Sequence, residues 1–338
     1  MGVRVGRIGQ RLDVAAQPIT QGVGHRARGA PGRQTEGEIR VQRDVQGGVC
    51  VAANTGATFL RIMLGAELIR LRENAGLSGE QAAKAVGCAP STITNLEKGT
   101  TGFRRIGQYA ELLTAYGVDF EGQELLLDWY KNAKGDDWWT PNTSVLPSGM
   151  PVYLGLESGA QIVSPWCPSV VYGLLQTEEY TRALVETAKA ADERTTDFVD
   201  STVEVRANRK KLITEHGSEL VCLMDESALR NVVGNGDIMR RQYAEIAELS
   251  KLRNVAVRII PFSAPAYRVT SGGFTVLEFD RRALPGPVVA VSTVSHSMQV
   301  VSKPKVVKQF ARRFDYLARG ARPDHETPAL LRKLAREV

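Results

Sequence analysis

The chain is poor in the residues from which reactive sites are most often built. Its 338 residues include four cysteines (Cys50, Cys88, Cys167, Cys222) and four histidines (His25, His216, His296, His325), all far apart in sequence. So few and so scattered cysteines exclude a disulfide framework or a CxxC metal knuckle, and no His/Cys cluster has zinc spacing. They point instead to a reducing cytoplasm. No run of about 18 apolar residues exists, so no membrane-spanning helix is expected. The N-terminus has no apolar core of a secretory signal. The GxSxG elbow, the Walker loop and HExxH are all missing. The expectation is a cytoplasmic protein that is not an enzyme and uses no cofactor, metal or membrane.

What is present is ordinary globular material, 43% hydrophobic and 24% charged, with length enough for two or three domains. The net charge is +6, which fits an anionic partner. Its distribution says more. Arg61–Arg105 holds seven basic residues against four acidic, and Glu111–Asp137 two against seven. A middle domain would therefore have a basic end and an acidic end.

Residues 1–57 carry eight arginines, no lysine and no spaced apolar stripe. Such a segment cannot bury enough surface to offset the entropy of ordering. It is expected as a disordered tail. Two other readings stand beside that one: a natural start near Val51, or a basic arm gripping DNA.

Residues 59–134 read as short helices. Leu60, Leu64, Leu68, Leu71 and Ala75 share one helical face, and Gly76 ends it. Ser78 and Gln81 predict a capping box for the next helix, which offers Ala82, Ala83 and Val86 to a core and ends at Gly87. Pro90 suits the first turn of a third helix that directs Ile93 and Leu96 inward. Ile106, Tyr109, Leu112, Leu113 and Tyr116 predict a fourth helix, and Leu125, Leu126 and Trp129 a fifth.

The second and third helices form a helix-turn-helix pattern. Small Ala82 and Ala83 allow a close crossing, and Gly87 a sharp turn. Ser91, Thr92, Thr94 and Asn95 fall between the apolar positions of the third helix, so they are candidate readers of base edges in a major groove. Ser78 is a further candidate DNA contact, and Lys98, Arg104 and Arg105 are placed to touch the phosphate backbone. The competing reading is a helical bundle that binds another protein.

The run Leu77-Ser78-Gly79-Glu80-Gln81-Ala82-Ala83-Lys84-Ala85-Val86-Gly87, followed by Ser91-Thr92-Ile93-Thr94-Asn95-Leu96-Glu97-Lys98-Gly99, resembles the Xre/Cro-type helix-turn-helix. The resemblance implies a lambda-repressor-like fold and double-stranded operator DNA as partner. Gly79 and Pro90 depart from the family pattern, which leaves Ser91, Thr92 and Asn95 as the readers.

Gly135–Asp137 and Thr140–Gly149 read as a linker, 135–149, to a mixed domain over 150–320, with 321–338 a C-terminal helix or tail. Strand-like runs stand at Leu220–Met224, Val255–Pro261, Phe274–Phe279 and Val288–Val291. Helical patterns stand at Glu178–Ala190, Thr196–Thr214, Ile238–Leu252 and Val306–Leu317. The order from Leu220 to Ile260 predicts a βαβ-type crossover, with antiparallel strands allowed afterwards. The fold class expected is α+β: an all-α helix-turn-helix bundle, then a mixed α/β domain.

Trp138-Trp139, Leu156-Glu157, Tyr172-Gly173-Leu174-Leu175-Gln176-Thr177 with Tyr180, Arg206 with Arg209, Asp225-Glu226 and Val257 to Pro261 resemble the large domain of actinobacterial Xre-type regulators of the WhiJ or antitoxin-like kind. That resemblance implies a small acidic partner protein encoded nearby. Each motif also has a plain structural reading. The tryptophans can clasp two domains, Asp225-Glu226 can cap a helix, and Thr177 can be an N-cap. Arg206, Arg209, Lys210 and Lys211 read as a solvated face able to receive an acidic partner.

The sequence therefore predicts a DNA-binding transcriptional regulator with helix Pro90–Lys98 in the major groove. Its large domain would sense a signal or bind a partner. Because one such module makes few contacts, a homodimer on a two-fold site is expected. The alternative is an antitoxin-like protein that holds an acidic partner, with DNA binding secondary.

Overall fold

The computed structural model describes residues 56–100, 102–103, 105–192, 195–264, 272–280, 283–284, 286–293 and 297–338. The expected tail, apart from Gly56 and Ala57, lies outside them, as do His25, His296 and Arg104.

Five helices open the fold: α1 (Ala57–Asn74), α2 (Gly79–Ala85), α3 (Pro90–Glu97), α4 (Ile106–Ala115) and α5 (Phe120–Asn132). Their cause is local. Ser78 accepts a hydrogen bond from the Gln81 amide while the Gln81 side chain accepts from the Ser78 amide, so the predicted capping box closes α2. At Gly87 φ is +62°, a left-handed value that lets the chain reverse within a few residues. Ile93 and Leu96 are buried as expected, but Ile106 and Leu125 are left 38% and 37% exposed. Tyr109 stacks on Tyr130 with ring centroids 4.2 Å apart, and the Tyr130 hydroxyl donates to the Phe103 carbonyl at 2.6 Å. These contacts join α4 and α5 to the loop that follows α3.

Helix α6 (Met150–Ser158) leads into a six-stranded mixed sheet in the order β3-β2-β1-β4-β5-β6. The strands are β1 (Ile162–Cys167), β2 (Glu219–Asp225), β3 (Val255–Ile260), β4 (Phe274–Glu278), β5 (Val288–Ser292) and β6 (Met298–Val301). β1, β2 and β3 run parallel, and β4, β5 and β6 continue antiparallel. Between β1 and β2 lie α7 (Glu178–Asp192) and α8 (Thr196–Thr214). Between β2 and β3 lie α9 (Ser227–Arg230) and α10 (Gly236–Leu249), the crossover expected from the sequence. The chain closes with α11 (Pro304–Gly320) and α12 (Thr327–Glu337).

The sheet has two unlike faces. Val163, Cys222, Met224, Val257, Ile259, Leu277 and Ala290 point into a large core shared with α6, α8 and α10 and continuous with the core of the five N-terminal helices. Trp166, Leu223, Ile260, Phe274, Val276 and Val289 point the other way, where Val307, Phe314, Leu317 and Ala318 of α11 cover them.

The segment expected as a linker is tied in on both sides. Asp137 is buried and accepts from the Thr58 amide at 3.1 Å and the Thr58 hydroxyl at 2.5 Å, which satisfies one of the open amides at the N-terminus of α1. Trp139 is buried, and its edge-on partner Trp138 is 42% exposed. Phe59 of α1 stacks on Phe279, just past β4, at 5.6 Å.

Candidate nucleic-acid interface

The second and third helices cross as a helix-turn-helix, and α1 fixes the angle from behind. At Gly65 a Cβ would lie 2.4 Å from the Glu97 carbonyl oxygen, so α1 touches the end of α3 backbone to backbone. Arg72 adds a side-chain tie. Its Nε donates to Glu97 Oε1 at 2.6 Å and its Nη1 to the Leu77 carbonyl at 2.9 Å. One guanidinium thus holds both the end of α3 and the entry to α2. These partners stand 25 and 5 residues from Arg72 in sequence. No local spacing pairs Arg72 with Glu97, so sequence reading passed it over.

With Ile93 and Leu96 facing the core, Ser91, Thr94, Asn95 and Lys98 fall at i, i+3, i+4 and i+7 and are all exposed. They form one small, polar, uncovered face. Thr94 spends its hydroxyl proton on the Pro90 carbonyl at 3.3 Å and keeps its oxygen as an acceptor. The Asn95 amide has no partner among the described residues, which leaves both of its donors and its acceptor for a ligand. Thr92 sits half-buried at the side of this face. Ser78 is exposed but occupied in its capping box. Lys98 lies at the C-cap of α3, and exposed Arg105 is the N-cap residue of α4. Lys84 of α2 is also exposed and basic, and was not among the expected contacts. Helix α3 begins at Pro90 with no side-chain cap, but Pro90 carries no amide proton and the Thr92 amide donates to the Ala89 carbonyl at 2.9 Å, so little of the first turn is open to an anion.

The large domain corrects one expectation. Arg206, Arg209, Lys210 and Lys211 do not make a solvated face. Arg209 is 6% exposed and grips buried Glu157, with Nε to Oε2 and Nη2 to Oε1 both 2.7 Å. Tyr153 and Tyr172 donate to the same Glu157 Oε1 at 2.6 and 2.7 Å. Burial alone would push the Glu157 carboxyl up, but the Arg209 charge and these hydrogen bonds hold it below the usual carboxylate range. Arg206 is half-buried and donates to Gln176 Oε1; burial and the neighbouring Arg209 charge bring its guanidinium down to about 10. Lys210 pairs with Glu245 at 2.5 Å, and only Lys211 is exposed. A helix read as charged and outward is largely spent on its own domain.

The other motifs have structural roles. Thr177 caps α7, its hydroxyl accepting from the Tyr180 amide at 3.1 Å. Asp225 Oδ1 accepts from the Ser227 amide at 2.9 Å at the start of α9. Glu226 accepts from the Phe262 amide at 2.8 Å and from Arg230 at 2.6 Å, tying the ends of β2 and β3 together. Among the described residues no group of three His, Cys, Asp or Glu could hold a metal, and no helix is long and apolar enough to cross a membrane.

The fold and this polar face define a helix-turn-helix protein of the DNA-binding regulator class. A family model described as a helix-turn-helix domain matches residues 63–126, which cover most of α1 and all of α2–α4. A second, described as a domain of unknown function (DUF5753), matches residues 150–333, more than half of the chain, and the chain belongs to that family. Neither the curated proteins nor the solved structures give a match.

Proposed function

We propose that the chain is a sequence-specific transcriptional regulator of Xre/Cro type. In this reading α3 lies in the major groove of double-stranded operator DNA, with Ser91, Thr92 and Asn95 at base edges. Ser78, Thr94, Lys98, Arg104 and Arg105 contact or flank the phosphate backbone. The observation that carries the reading is the free Asn95 amide at the centre of an exposed face of short polar side chains. A protein-binding helix would present apolar anchors there instead. Asparagine is the usual bidentate partner of adenine.

The resemblance to WhiJ or antitoxin-like actinobacterial regulators supports a large domain that passes on a signal or holds a partner, in the cytoplasm beside the chromosome, with no catalytic role. One helix-turn-helix module buries little surface, so the reading includes a homodimer on two half-sites about one helical turn apart.

The test is a gel shift on the gene's own upstream DNA with excess competitor and a salt titration. A sequence-selective shift with a steep salt slope is expected. Absent binding, or binding indifferent to sequence, overturns the reading. Gel filtration with that DNA bound reports the two-chain mass expected.

A further inference from the structure

The C-terminal helices hold charge that the helix-turn-helix reading leaves unused. From Lys303 to the C-terminus there are ten Lys/Arg and four Asp/Glu, an excess as large as the net charge of the whole chain. On α11 the excess is ordered. Lys305, Lys308, Arg312, Tyr316 and Arg319 succeed one another at steps of 3, 4, 4 and 3 residues, which places them on one helical face, and all five are exposed. The opposite face carries Val307, Phe314, Leu317 and Ala318 into the core under the sheet. None of the four cations has an ion-pair partner among the described residues. The helix contains one acidic residue, Asp315, half-buried on the flank of the stripe. Burial pushes its carboxyl up while the charge of Arg319 pulls it down, and a single carboxylate leaves the four cations in excess. Arg313 is turned aside over the Phe310 ring at 5.8 Å.

We propose that this face of α11 is a second contact for duplex DNA, gripping the phosphate backbone without reading sequence. Three features select that partner. The stripe is unpaired positive charge in helical register, the electrostatic footprint of a nucleic-acid surface. Its span from Lys305 to Arg319 is about 21 Å, a length over which each DNA strand presents about six charges. It also lacks the exposed aliphatic centre that a protein interface needs. The apolar side of α11 is already buried against the sheet, so nothing remains to insert into a membrane. The stripe lies on the sheet face opposite the one continuous with the helix-turn-helix core, so the DNA it holds is a second segment of duplex. This inference goes beyond the operator reading and does not depend on it.

The test uses the full chain, a 20-base-pair duplex of arbitrary sequence and four proteins. These are the wild type, a groove variant (Ser91→Ala, Asn95→Ala, Lys98→Ala), a stripe variant (Lys305→Gln, Lys308→Gln, Arg312→Gln, Arg319→Gln) and the combination. The groove variant is expected to keep duplex binding with a log–log salt slope of about −2 to −4. Adding the stripe substitutions should weaken that binding at least tenfold at 100 mM salt and flatten the slope. A duplex affinity and slope unchanged by the stripe substitutions in both backgrounds overturn the proposal. So does a loss confined to polyglutamate or to phosphatidylserine vesicles, which would make the surface a protein or lipid contact. Should the stripe variant fail to fold, Lys308→Gln and Arg312→Gln singly are each expected to flatten the slope by about 1. If groove substitutions change nothing on this arbitrary duplex while stripe substitutions remove all binding, the stripe stands, and the operator reading is decided separately by the selective shift on the gene's own upstream DNA.

Discussion

Arg72 holds Glu97 at 2.6 Å across 25 residues of chain, and the same guanidinium reaches the Leu77 carbonyl at 2.9 Å. The pair is mostly sheltered, with side chains 16% and 15% exposed. It makes the angle between α1 and α3 a property of one side chain as well as of the core. Arg72→Ala removes the ion pair and the carbonyl contact together, and should cost about 1–3 kcal/mol in urea unfolding. Glu97→Gln keeps the Leu77 contact and should cost less. A double-mutant cycle with the two should return a coupling of about 1 kcal/mol. Additive costs would mean that the pair does not act as a clamp.

Gly65→Ala sets two effects against each other. Replacing a mid-helix glycine by alanine ordinarily gains up to about 1 kcal/mol. Here the new Cβ would meet the Glu97 carbonyl oxygen at 2.4 Å, and a backbone atom cannot swing away as a side chain would. Relieving the overlap means shifting α3 on α1, at a cost of about 1–3 kcal/mol. The clash should win. The variant is expected to melt lower than wild type and to bind DNA more weakly, and a higher melting temperature would contradict the close crossing.

The helix-turn-helix was legible because its signals are local. Ser78 with Gln81, Gly87, Pro90 and the Ile93/Leu96 spacing each act within a few residues, and each takes the role expected of it. Two elements of the large domain left no such trace. α6 buries Tyr153 through Glu157 without a break, so its apolar residues go all round and show no helical period. β1 contains Pro165, which argues against a central strand. The sheet accommodates it locally: pairing with β4 runs through Pro165 opposite Thr275, while pairing with β2 stops at Val163 and resumes at Trp166. The misreading of Arg209 has a similar cause. Its carboxylate partner Glu157 lies 52 residues away, and a helical wheel cannot see across that distance.

Glu157 and Arg209 make the stability of the large domain depend on pH in a definite sense. The folded-state pKa of Glu157 is depressed. Its contribution is therefore fully present above the ordinary unfolded value for glutamate, about 4.3, and is lost as pH falls through the folded value. Glu157→Gln leaves Arg209 buried without a counter-charge and should cost about 3–5 kcal/mol at pH 7. Denaturation from pH 7 to pH 3 should show the gap between wild type and variant narrowing at the acid end. A gap constant with pH would mean that the carboxylate charge adds nothing.

Asn95 and Arg105 separate reading from gripping. Asn95 stands mid-face on α3 with its amide free, whereas Arg105 stands exposed at the start of α4, off the α3 face. Asn95→Ala should therefore cost about 1–3 kcal/mol on the preferred sequence, much less on unrelated DNA, and relax discrimination at one base position. Arg105→Ala should weaken all duplexes alike and reduce the salt slope by about 1. Both are measured by the same competition gel shifts across a salt series. The two substitutions must differ in kind as well as in size. If both lower affinity uniformly, α3 lies along the phosphates and not in the groove. If Asn95→Ala binds with unchanged affinity and preference, another face of the bundle meets the DNA.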